Sequence, residues 1–266
     1  MNGPATAPGA GPRDAGPANA TPMVAVAHGS RDPRAAATVA ELLGVVRDRR
    51  PDVPVHASFL DHGPPAPDRV LDGLARDGAE DAVVLPLLLT AAYHSKTDIP
   101  GVLSRVRARR PRLRLRTAGT LGPHPLLMDA LERRLSDVGV EPGDPGTAVV
   151  LVSAGSSDAS ANATIARLAR EWRSRGWWDA VPAYASAASP GPAEAVAALL
   201  EAGAPRVAVA SYFLAPGHFA DKVRAASLAA GAAAVSPVLG AAPEVADLVV
   251  RRYEETLAAS RAATAV

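Results

Sequence analysis

Apolar residues along this chain fall into short runs that alternate with longer stretches where apolar positions recur every three or four residues, the periods of strands and helices. The first run, Met23 to Ala27, ends at His28-Gly29-Ser30, and a helical pattern follows from Arg34 to about Arg49. Pro51 and Pro54 interrupt the chain before a strand at Val55 to Leu60, and a Pro-rich turn leads into a helix around Asp68 to Arg76. Ala82 to Leu88 is apolar almost throughout, as expected of a strand covered on both faces. A loop holding His94, a helix near Ile99 to Arg109, a strand at Leu113 to Ala118 and a helix at about Leu126 to Val138 follow. Such alternation predicts the α/β class, a parallel sheet with helices on both sides. Ligands of these folds bind beyond the carboxyl ends of the strands. His28 and His94 each follow a predicted strand directly, so both are expected to face one crevice.

The pattern then starts again. Val140 to Thr147, rich in Gly, Pro and acidic residues, reads as a linker, and Thr147 to Val152 as a strand running into Ser153-Ala154-Gly155-Ser156-Ser157-Asp158. That segment parallels Ala27-His28-Gly29-Ser30-Arg31-Asp32. Arg206 to Leu214, leading into Ala215-Pro216-Gly217-His218, parallels the approach to His94. The offsets, 126 residues from His28 to Ala154 and 124 from His94 to His218, agree to within the change of a loop. The expected organisation is a disordered leader at 1–21, a first domain at 22–142, a duplicate at 143–258 and a tail at 259–266. The repeat is also asymmetric. His28 is replaced by Ala154, whereas His94 keeps a counterpart in His218, so a site that needs both imidazoles survives only in the first half.

Composition narrows the chemistry. With 28 basic and 27 acidic residues the formal charge is +1, and nothing draws the chain toward nucleic acid or a membrane surface. An anionic ligand would have to be met by local cations. The absence of cysteine excludes disulfides, thiolate metal sites, iron–sulfur clusters and cysteine nucleophiles, leaving His, Asp and Glu for any metal. Ala82 to Ala92 falls short of a membrane span, and the leader lacks the charged start and apolar centre of a secretory signal, so a cytoplasmic protein is expected.

Neutral imidazoles suit iron(II), cobalt(II) or nickel(II), and two or three such ligands leave coordination positions open. A metal in a closed shell could not be passed to another ligand. Taken singly, His28 and His94 could be ordinary strand-end residues; at equivalent strand ends they make a metal pair. Asp61 ends the intervening strand and could add a carboxylate, although Asp before Gly and Pro also begins turns. His62 beside it is a lesser candidate. His56 and His124 read as packing or surface residues, and His218, without a partner, as structural or vestigial. Ser30 and Arg31 are expected to open the helix after His28, where free backbone N–H groups favour an anion. With Arg34 and Lys96 they form a candidate binding group for carboxylates. A serine hydrolase built on Ser30 or Ser156 is disfavoured, because neither lies in Gly-x-Ser-x-Gly.

Three segments in order resemble the class II chelatases, the sirohydrochlorin and cobalt chelatase group: His28-Gly29-Ser30-Arg31, Ser58-Phe59-Leu60-Asp61, and the stretch Pro-Leu-Leu-Leu-Thr-Ala-Ala-Tyr-His-Ser-Lys-Thr-Asp-Ile-Pro from Pro86 to Pro100. Together they span about Met23 to Pro111. The resemblance implies two tandem chelatase-like domains with a cleft between them. It implies that His28 and His94 bind a divalent metal and help remove pyrrole protons, with Asp61, where the family often has Glu, as a further ligand. It also implies sirohydrochlorin, a tetrapyrrole with eight carboxylates, as the partner of Ser30, Arg31, Arg34 and Lys96. The metal, iron(II) or cobalt(II), is then a substrate for sirohaem or cobalamin synthesis. No ATP or organic cofactor is expected, since no Walker-type loop is present, and one chain with two pseudo-equivalent halves would act as a monomer. The rival of another class is a two-lobed protein that binds metal or tetrapyrrole without turnover.

Overall fold

The computed structural model describes residues 20–90 and 97–264. The leader, and with it the expectation for 1–19, lies outside the described residues, as do His94 and Lys96.

The first half runs β1 (Met23–Ala27), α1 (Pro33–Arg49), β2 (Val55–Phe59), α2 (Pro67–Arg76), β3 (Asp81–Pro86), α3 (Ile99–Arg109), β4 (Arg114–Thr117) and α4 (Pro125–Ser136). The second runs β5 (Thr147–Ser153), α5 (Ala159–Arg173), β6 (Ala180–Tyr184), α6 (Pro192–Glu201), β7 (Arg206–Ser211), α7 (His218–Ala229), β8 (Ala234–Val235) and α8 (Pro243–Thr264). The strands form two four-stranded sheets of the same order, β2-β1-β3-β4 and β6-β5-β7-β8, and every pairing is parallel. The chain steps first to one side of β1 and then to the other, so the ends of β1 and β3, and of β5 and β7, flank the point where the order reverses. Crevices open there in such sheets.

Both central strands are buried along their whole length, which is why they read as unbroken apolar runs rather than alternating ones. Each sheet has an outer core of its own: Val24, Val26 and Val84 with Leu71, Leu103 and Val106 in the first half, and Val150, Val152 and Val209 with Val196, Leu199 and Val223 in the second. The inner faces share one core, in which Leu42, Leu43 and Leu131 of the first half meet Trp172, Val249 and Tyr253 of the second.

That shared core is built by exchanging helices. Helix α8, the last of the second half, packs on α1, α4 and β3, while α4, the last of the first half, also packs on β7. Polar contacts follow the exchange. The Tyr253 hydroxyl donates to the Thr21 carbonyl at 2.6 Å, Arg252 donates to the carbonyls of Thr120 and Leu121, and Arg134 donates to that of Leu239. The segment read as a linker is a fixed turn. Val140 is buried, and the Asp144 carboxylate accepts from the Gly146 amide, the Thr147 hydroxyl and Arg206. The Thr147 bond, then the Gly146 bond and Arg206, hold that carboxyl below its usual range. Among the described residues, no helix is long and apolar enough to cross a membrane.

Candidate active site in the cleft between the halves

A cavity of about 920 Å³ lies between the halves, walled by the turns that follow β1, β3, β5 and β7. This is the upper range of pockets that enclose a small organic ligand.

The wall from the first half begins where β1 stops. Gly29 takes φ +92°, and a Cβ there would lie 1.7 Å from the Asp61 carbonyl oxygen, so the turn requires glycine. Backbone pairing continues past the strands: Leu60 N–H donates to the Ala27 carbonyl and Asp61 N–H to that of His28, at 3.0 and 2.9 Å. This fixes His28, exposed on the cleft, with its Nδ1 3.1 Å from the Gly29 carbonyl oxygen. The next residue after Asp61 is His62, held at φ +57°, a left-handed conformation uncommon for a side-chain-bearing residue. His62, not Asp61, lines the cavity. The side chain ranked lower from sequence is therefore the one at the wall, because Asp61 pairs its backbone with His28 and packs against Gly29, and the left-handed residue that follows faces the cavity.

Two expectations about the cations change. Ser30 and Arg31 do not open the helix. Asp32 is the N-cap, its carboxylate accepting from Arg34 N–H at 2.9 Å, and α1 starts at Pro33. The helix end thus already holds an anion, and the Arg34 hydrogen bonds keep that carboxyl below its usual range. Ser30 makes the turn, its hydroxyl accepting from Asp32 N–H at 3.1 Å. Arg34 is also paired within the protein. Its guanidinium bridges Asp32 and Asp221 of α7, both at 2.5 Å, tying the two halves across the mouth of the cleft. Two carboxylates neutralise it locally, whereas Arg31 lines the cavity and, among the described residues, forms no ion pair.

The wall from the second half repeats the first in backbone and departs from it in chemistry. Gly155 has φ +81°, and a Cβ there would meet the Ser186 carbonyl oxygen at 1.9 Å; Ser186 N–H donates to the Ala154 carbonyl. Ala187 repeats the left-handed turn of His62 at φ +58°. The Ser156 hydroxyl accepts from Asp158 N–H as Ser30 does from Asp32, so the two serines brace equivalent turns. In place of His28, His62 and Arg31 the second wall has Ala154, Ala187 and Ser157, all lining the same cavity.

Beyond β3 and β7 the apolar runs leave the sheet and become cleft wall, Leu87 to Leu89 on one side and Tyr212 to Leu214 on the other. Leu87 and Leu88 were expected as strand, since apolarity alone does not distinguish a sheet interior from a pocket lining. Tyr212 is buried, its hydroxyl donating to the Leu89 carbonyl at 3.2 Å across the halves, and burial pushes the phenol well above its usual range. His218 also faces the cavity, at the first turn of α7. The repeat had placed it opposite the His94 position, which was the signal for its presence in the cleft. Among the described residues no three His, Asp or Glu side chains converge as a metal cage.

The CbiX family model matches residues 22–138 and 148–256, one match per half. The chain is 29% identical over 196 residues to the sirohydrochlorin cobaltochelatase of Priestia megaterium, covering 72% of this chain and 63% of that protein. It is 34% identical over 134 residues to the sirohydrochlorin ferrochelatase of Bacillus subtilis (strain 168), covering 50% of each. The chain thus spans less than two thirds of either relative. Among solved structures it resembles SirB from Bacillus subtilis with Fe3+, with a TM-score of 0.79 and 26% identity, covering 91% of this chain and 97% of that one. Matched over both of its repeats, this chain belongs to the CbiX family.

Proposed function

We propose that this protein is a sirohydrochlorin chelatase, inserting a divalent metal ion into the tetrapyrrole within the cleft. The observation that carries the reading is the unequal chemistry of that cleft: His28, His62 and Arg31 at the turns of the first wall face Ala154, Ala187 and Ser157 at the matching turns of the second, with His218 joining from α7. A flat macrocycle fits between such walls, with one face toward the metal donors. The reading assigns the metal-handling part to residues 22–142 and the facing duplicate to 143–258. It is further supported by relatives named as sirohydrochlorin ferrochelatase and cobaltochelatase.

The reaction exchanges a metal dication for two pyrrole protons. Imidazole serves both needs, since its lone pair can hold the incoming metal or take a proton near neutral pH. His28 performs this from the β1 turn, and the resemblance assigns the same to His94. Asp61 and His62 end one turn beside His28, and His62 is the better placed to assist. Arg31 meets the ring's carboxylates; Lys96 is assigned to the same task. An open ligand set releases what it binds, so the metal passes to the four ring nitrogens. Nothing in this exchange calls for phosphoryl transfer or an organic cofactor. Both walls come from one chain, so a monomer suffices, and we place it in the cytoplasm. Iron(II), for sirohaem, is the leading metal; cobalt(II), for cobalamin, is the alternative, because the same donors accept either.

The test supplies iron(II) and cobalt(II) separately with metal-free sirohydrochlorin and follows the loss of its absorbance. Insertion is expected with the wild type and not with His28→Ala or His94→Ala. Full activity in both variants would overturn the mechanism, and binding without turnover in the wild type would favour a non-catalytic binding protein.

A further inference from the structure

Four large apolar side chains are notably exposed among the described residues: Trp178, Leu200, Phe219 and Leu228. Of these only Phe219 lines the cleft. The other aromatic rings of the wall are engaged elsewhere. Phe59 belongs to the shared core, Tyr212 is buried against Leu89, and Phe213 packs on the outer core of the second half. Phe219 is 44% exposed, although its chain neighbours are anchored on both sides. Two residues before it, the position where a Gly217 Cβ would stand is 3.8 Å from Ser30 Oγ, so the walls come close there. Two residues after it, Asp221 forms the ion pair with Arg34. The first turn of α7 is therefore fixed against the first half while the Phe219 ring remains uncovered, its centroid 5.8 Å from that of His218.

Resting on the chelatase reading, we propose that Phe219 is the stacking surface for the tetrapyrrole, receiving the face of the macrocycle from the second wall. The surroundings suit a flat apolar face. Ala215, Pro216, Gly217 and Ala220 add no charge, and Ala154 leaves open the volume that an imidazole fills at His28. A ring carried on a helix whose backbone is already fixed loses little freedom on stacking, and aromatic pairs prefer the offset face contact that a large π-system offers. The division of labour follows: the first wall handles metal and protons, and the second holds the ring in register.

Metal-free sirohydrochlorin is titrated into wild type and Phe219→Ala, Phe219→Leu and Phe219→Tyr, and KM is measured separately for ring and metal. Phe219→Ala is expected to weaken ring binding and raise the ring KM about tenfold, with the metal KM and kcat within about twofold of wild type. Phe219→Tyr should recover wild-type binding, and Phe219→Leu should fall between. Ring binding within about twofold of wild type for Phe219→Ala overturns the proposal while leaving the chelatase reading intact. Failure of Phe219→Tyr to rescue, or full rescue by Phe219→Leu, overturns stacking equally. A wild type that neither binds nor converts the ring removes the chelatase reading, and this proposal with it.

Discussion

Gly29 and Gly155 stand at the same point of the two halves, each at positive φ, each with a backbone oxygen within 2 Å of where a Cβ would be. One residue earlier the halves part: His28 in the first, Ala154 in the second. The duplicated turn preserves what the backbone needs at both places and keeps the imidazole at only one. The same holds at His62 and Ala187, which share a left-handed turn and differ in side chain. Fold and chemistry are thus under separate control, since backbone geometry depends on glycine and pairing while the side chain facing the cleft is free to change. The duplicate supplies a second wall of the same backbone shape, with alanine at both of these places.

The largest expected effect tests the part that is shared. Gly29→Ala and Gly155→Ala should each destabilise the protein by about 4 kcal/mol, because a methyl group at either position overlaps a carbonyl oxygen and the φ is unfavourable. Chemical denaturation of both variants checks this. Equal losses support equivalent turns, whereas a loss below about 1 kcal/mol at one of them would break the comparison at its base. Next in size is the part that differs. His28→Ala should lower metal insertion at least a hundredfold, about 2.7 kcal/mol in barrier, with the melting temperature unchanged because the imidazole is exposed. Ala154→His added to His28→Ala should not restore activity, since Ala187 and Ser157 leave the new imidazole without the neighbours of the first wall. Recovery of rate in the double variant would show that position alone, not the surrounding wall, makes the site.

How far these features were legible follows from what each depends on. Strand β1 and helix α3 fall where the pattern put them, at Met23–Ala27 and Ile99–Arg109, because Pro22, Gly29 and the Arg-rich end of α3 punctuate the chain locally. The helix exchange was not legible. Periodicity shows that α4 and α8 each have an apolar face, but not which sheet will cover it. His28 could be found from its strand-end position and its repeat. The pairing of Arg34 could not be found on the same basis, since its partner Asp221 lies 187 residues away. That His62 rather than Asp61 lines the cavity was not legible for a subtler reason: which of two adjacent side chains enters a cleft is decided by a left-handed φ that the residue types do not announce.

The smallest effect concerns a core difference between the halves. Val24 pairs with His56 in the first sheet, and at the repeated position Val150 pairs with Val181. His56 Nε2 is buried without a hydrogen-bond partner, and Arg47 lies close by, donating to the Val55 carbonyl at 2.9 Å. Burial first, then the Arg47 charge, pushes the His56 pKa below its usual value of 6.5. As pH falls through 6.5 the unfolded chain takes up a proton that the folded chain refuses, so stability declines from there down to the folded pKa and is complete above 6.5. His56→Val copies the second half and removes this contribution. His124, also lowered by burial and by Arg252 and Arg251, acts in the same direction and remains, so the decline should shrink rather than vanish. Melting temperatures at pH 5.0 and 7.5 measure it. With His56 only partly buried and its charge screened, the variant should lose less on acidification by about one or two degrees, roughly what half a kcal/mol gives in a chain of this size. An equal or larger loss in the variant would mean that the imidazole finds a proton-accepting partner in the fold, and that the first sheet tolerates a charge where the second has only a methyl-bearing surface.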